Sequence, residues 1–105
     1  MNTADLIVRM LKQLSEDTLV MQSQGAGYYS CTPLATRYNK LLGQAAALFP
    51  KADGLISTFD KISEQDPKDP ADKMKVIQGI RIEISQLVTL VESLNEQGNE
   101  SGEKA

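Results

Sequence analysis

The chain contains no histidine and no tryptophan, and its single cysteine is Cys31. Without histidine, the familiar zinc sites, histidine-ligated haem and histidine-activated nucleophiles cannot be assembled from one copy. One cysteine rules out an intrachain disulfide, and a reducing cytosol is the simplest compartment for it. Aromatic residues make up 5% of the 105 residues, so the core must be aliphatic. No apolar run approaches the roughly 20 residues needed to cross a bilayer. The opening Met1-Asn2-Thr3-Ala4-Asp5 carries no basic region followed by an apolar run. A cytoplasmic protein with no signal peptide and no membrane association is the expectation.

Positive charge is also thin. Residues 1–62 hold six basic residues against five acidic ones, and the rest of the chain holds five against nine, which places the net charge of −3 in the C-terminal part. Nucleic-acid binding draws its affinity from concentrated Lys and Arg, so nucleic acid is not the expected partner.

What is present is apolar periodicity. Apolar residues form 41% of the chain and charged residues 24%, an ordinary globular balance at a length that suits one domain. Ile77, Ile80, Ile84, Leu87, Val91 and Leu94 recur at spacings of three and four, the mark of a helix with one face covered by other helices. The window Ile80-Arg81-Ile82-Glu83-Ile84 alternates as a strand would. Length decides for a helix, which starts at Asp69-Pro70 by the cap-plus-proline rule and runs to Asn95. On that helix Ile82 points about 140° from Ile77, away from the seam, while Glu83 lies at the seam's edge.

Three other helices are predicted. The first starts at Asn2 or Thr3 and ends near Gln22, with Ile7, Met10, Leu11, Leu14 and Met21 as its stripe. Val8 and Leu19 lie about 100–120° from Ile7, on a second, narrower face. The second starts at Thr32-Pro33, with the Thr hydroxyl as cap, and ends at Leu48 or Phe49. Its face is Leu34, Tyr38, Leu41, Ala45 and Leu48, widened by Leu42, Ala46 and Phe49, which implies two neighbours. Pro50 breaks the pattern, and Leu55, Ile56, Phe59 and Ile62 mark a short third helix over residues 51–62. Residues 63–70, with Pro67 and Pro70, read as a loop. The expected fold is therefore all-α: a small antiparallel bundle of three long helices and one short one over residues 1–95, then a disordered acidic tail over 96–105.

Candidate chemistry is sparse. Gly25-Ala26-Gly27 follows no strand and lacks the Gly-Lys-Ser/Thr ending of a phosphate loop. Asp66, Asp69 and Asp72 read as loop solvation and capping, and neither a metal nor a cofactor is expected. Tyr28, Tyr29 and Cys31 stand together before the second helix, where aromatic rings and a thiol form a recognition patch. A helix start also lowers a thiol's pKa. An enzyme reading would centre on Cys31 with Tyr28, Tyr29, Arg37 and the carboxylates. A nucleic-acid reading would use the second and third helices, with Arg37, Tyr38 and Lys40 clustered with Asn39, although Tyr38 falls on the apolar stripe.

The leading expectation is a non-catalytic interaction or regulatory module with a protein partner, including a twofold homodimer. Its candidate contact residues are Tyr28, Tyr29, Cys31, Ile82, Glu83, Val8 and Leu19.

Overall fold

A computed structural model describes residues 2–24 and 31–104, with side chains for all of these but 24, 53 and 97–104. Its helices are α1 (Thr3–Gln24), α2 (Thr32–Leu48), a single turn α3 (Asp53–Ile56) and α4 (Pro70–Lys104), with a 3₁₀ turn at Pro50–Ala52. No strand occurs among the described residues, and the all-α class holds.

Each long helix starts where local chemistry provides for its free N–H groups. Asn2 Oδ1 accepts the Asp5 N–H at 2.9 Å, and Asp5 Oδ2 accepts the Asn2 N–H at 3.2 Å, a reciprocal capping box. Asp69 Oδ1 accepts the Ala71 N–H at 2.8 Å, with Pro70 as the first residue of α4. The start of α2 differs from expectation. Thr32 is the first helical residue, and the cap position falls to Cys31, which makes no side-chain capping bond. The Thr32 hydroxyl instead donates to the Glu64 carbonyl at 2.7 Å.

The third helix is also shorter than the apolar spacing suggests. After Ile56 the hydroxyls of Ser57 and Thr58 donate back to the carbonyls of Gly54 and Leu55, competing with helical N–H donors. Phe59 and Ile62 still pack against the core, but from outside the helix. At the other end of the molecule α4 continues past Asn95 to Lys104, through residues expected to be a disordered tail. No proline interrupts that stretch.

Contacts between the ends of elements set the topology. Asn2 Nδ2 donates to Asn95 Oδ1 at 2.8 Å, and Gln22 Nε2 approaches Met74 Sδ at 3.1 Å, so α1 and α4 run antiparallel. Cys31 lies beside Lys73, so α2 starts where α4 starts and runs parallel to it. Residues 57–69 form a non-helical strap that returns along α2 from its far end. The architecture is thus up-down-up-down, with the strap in the place of a third long helix.

The seam of α4 faces this bundle as its spacing predicts: Ile77, Ile80, Ile84, Leu87 and Val91 are buried, and Leu94 is half-buried. They meet Ile7, Leu11 and Leu14 of α1 and Leu34, Tyr38, Leu41 and Ala45 of α2 in one core. The buried face of α1 is rotated from the expected stripe. Val8 and Thr18 are inside it and Met10 is outside. Val8 shares a flank with Lys12 and Ser15, which border α4, whereas Met10 opens toward Ala47 and Leu48 of α2. Thr18 is tolerated because its hydroxyl donates to the Ser15 carbonyl of its own helix, leaving its methyl to pack.

Ile82 points to solvent and is 61% exposed. Ile80→Ala should therefore cost about 2–5 kcal/mol, while Ile82→Ala, two residues away, should stay within about 0.5 kcal/mol. Urea denaturation of the two variants measures both.

Candidate functional site

The densest polar construction in the molecule joins the strap to α2. An α-helix rises about 6 Å in four residues, and an extended chain rises about 6.6 Å in two. Helix positions three or four apart can therefore meet alternate strap residues. Thr32, Thr36 and Asn39 stand at i, i+4 and i+7 of α2 and do so.

Asn39 holds the main chain of Ile62 at both of its polar groups. Its Nδ2 donates to the Ile62 carbonyl at 2.7 Å, and its Oδ1 accepts the Ile62 N–H at 2.8 Å. Thr32 takes the Glu64 carbonyl. The Glu64 carboxylate accepts from the Thr36 hydroxyl at 2.7 Å and from Asn39 Nδ2 at 3.1 Å. Two residues on, Asp66 Oδ1 accepts the Cys31 N–H at 2.8 Å and Asp66 Oδ2 pairs with Lys73 Nζ at 2.9 Å. The intervening Ser63 and Gln65 are exposed. Asn39 and Lys73 are both buried, and Lys73 continues the α4 seam one step before Ile77.

Among the described residues, four groups have shifted pKa values: the two carboxylates downward and the thiol and a phenol upward. Hydrogen bonds from Thr36 and Asn39 hold the Glu64 carboxyl below its usual range, aided by the charges of Lys40 and Lys61. The Cys31 N–H and the Lys73 ammonium do the same for Asp66. The Cys31 thiol is pushed up, first by burial and then by the Asp66 charge, with Lys73 opposing. Tyr38 is pushed up by burial and by the nearby Glu83 carboxylate. Its fully buried hydroxyl has no partner at hydrogen-bond geometry among the described residues. The two carboxylates are thus held in their charged form and the thiol in its protonated form.

The contact residues expected from sequence are scattered. Tyr28 and Tyr29 lie outside the described residues. Cys31 is buried, because its side chain closes the core at the start of α2; burial outweighs the helix-start effect on its thiol, and it offers no contact surface. Val8 is buried on the flank toward α4 and offers none either. Leu19 and Ile82 are exposed, and Glu83 is half-buried beside Tyr38. Asp17, at the border of the apolar face by spacing, reaches solvent and accepts from Gln13 Nε2 at 3.0 Å. Of the spaced aspartates, Asp66 and Asp69 are used in the clasp and the α4 cap. Among the described residues no group of three or more acidic or cysteine side chains could hold a metal ion.

Polarity alone places Asn39 in a basic-aromatic cluster and leaves Lys73 unremarked, so neither is expected to be buried against the strap. Spacing would have found them. Lys73 precedes Ile77 by four on the seam, and Asn39 falls between Ala35 and Leu42 on the widened face of α2.

Asn39→Ala should destabilise the chain by about 1–3 kcal/mol, since it strips both partners from Ile62; chemical denaturation checks this. The carboxylates also set a pH window. Their folded pKa values lie below the ordinary 4.5 of Glu64 and 3.8 of Asp66, so the clasp contributes fully above those values. It is lost as the pH falls through the lower folded ones. The urea midpoint should lose this contribution only in acid, and a Glu64→Gln/Asp66→Asn chain should lose most of that dependence. A midpoint equally acid-sensitive in that double variant contradicts the assignment.

No known protein family, curated protein or solved structure matches the chain.

Proposed function

We propose that the chain is a non-catalytic protein-interaction module, of adaptor or regulatory type, that docks through a helical surface and pairs with a second copy of itself. The observation that carries this reading is an open groove between α1 and α2. Leu6, Met10 and Leu48 are 49%, 43% and 38% exposed there, beside Ile7 and Ala47. A single exposed leucine is ordinary; adjoining apolar side chains on two neighbouring helices form a strip that gains by leaving water. Twofold pairing is the usual form of self-association. The non-catalytic part is supported by the absence of histidine from the sequence. A nucleic-acid role draws no support from α3, which is one turn long.

Sedimentation equilibrium from micromolar to millimolar chain tests the reading. A reversible dimer is expected, and Met10→Glu should weaken it at least tenfold, about 1.4 kcal/mol. Because Met10 lies outside the core, the thermal midpoint of the monomer should hardly move. A chain that stays monomeric throughout, or a dimer that Met10→Glu leaves intact, removes this groove from the reading.

A further inference from the structure

Side chains of the bundle, and not its main chain, supply most of the contacts that hold the strap. Between Asp60 and Lys68 the strap's main chain makes no hydrogen bond to another main-chain group among the described residues. Its bonds to the bundle come from Asn39 and Thr32, which grip main-chain groups whatever the side chain, and from Thr36, Asn39, the Cys31 N–H and Lys73, which hold the carboxylates of Glu64 and Asp66. The gripping groups sit on α2 and α4, and both helices are anchored by the core they share with α1. Removing the strap would therefore leave the grip in place. In register, the grip selects an extended segment with an apolar residue followed at the second and fourth positions by carboxylates, as in Ile62-Ser63-Glu64-Gln65-Asp66.

We propose that this face of α2, together with Lys73, is a binding site for an extended acidic peptide segment of a partner protein, and that residues 62–66 occupy it in cis. A partner segment with the pattern apolar-x-acidic-x-acidic binds by displacing the strap. The tethered strap is present at high effective concentration, so the intact chain binds such a segment weakly, and loosening the strap raises the affinity. The face lies about 180° around α2 from Leu48, so this site and the α1–α2 groove succeed or fail separately.

The probe is a fluorescently labelled peptide of residues 57–69, titrated by anisotropy against three full-length chains: unaltered, Glu64→Ala/Asp66→Ala, and that double variant with Asn39→Ala added. The double variant, its strap loosened, should bind at least tenfold more tightly than the unaltered chain. Adding Asn39→Ala should abolish the gain. Equal binding by the unaltered chain and the double variant, or a gain that persists without Asn39, overturns the proposal. Hydrogen exchange on the unaltered chain gives a readout free of any folding defect. Millimolar unlabelled peptide should speed exchange of the Ile62 amide several-fold and leave the core amides of α2 and α4 unchanged; an unmoved Ile62 amide overturns it.

Discussion

A main chain that crosses a helical bundle without joining a helix or a sheet must still find partners for its N–H and C=O groups, and here Asn39 supplies them. Its carboxamide presents one donor and one acceptor, the complement of one peptide residue, and places both on Ile62. The direction of α4 follows from this. Because the strap is held against α2 as it returns, α4 begins beside Cys31 and runs antiparallel to α1. Without a third leg, α4 would begin at the opposite end of the bundle and its seam would meet α1 in reverse.

That contact imposes costs on its neighbours. The Thr32 hydroxyl, which would satisfy N–H groups at the start of α2, is drawn to Glu64 instead, and Cys31 caps the helix without its side chain. Pro33 offsets part of this, since it has no N–H to satisfy. Lys73 occupies a seam position that an aliphatic residue would fill, and the charge is tolerable there because Asp66 meets it at 2.9 Å. Aliphatic packing alone would prefer another residue at Lys73. Its presence is explained by the need to fasten the strap where it turns into α4.

Where side-chain periodicity decides structure, the sequence was readable. The α4 seam, the proline-led starts of α2 and α4, the break at Pro50 and the core placement of Tyr38 all follow from spacing and from what proline permits. Strand-like alternation at Ile80–Ile84 yielded to the longer helical pattern, as length required. Reading failed where a polar residue does a core residue's work. Thr18 is buried because it bonds to its own helix, and Asn39 and Lys73 because their partners lie 23 and 7 residues away. The strap was legible as a loop and not as a ligand of α2. Its period-two pattern of Ile62, Glu64 and Asp66 gains meaning only beside a helix whose every fourth side chain matches it. Phe59 and Ile62 suggested a helix for the same reason: apolar spacing shows that residues reach the core, but not in which backbone state.

Ile82 and Glu83 broke the rules of the α4 seam, and their surroundings now separate them. Ile82 sits among Ser15, Gln78, Arg81, Ser85 and Gln86, so a partner covering it would desolvate five polar side chains for one apolar group. Glu83 is half-buried, and its charge helps to keep the Tyr38 hydroxyl protonated. The groove of Leu6, Met10 and Leu48 is more strongly apolar, with adjoining apolar groups and fewer polar atoms to strip of water. Removing apolar surface from water drives association in proportion to its area, while each unpaired polar group works against it. On that comparison the apolar surface that the proposed interaction would use lies on the flank of α2, and the seam of α4 packs behind it in the core.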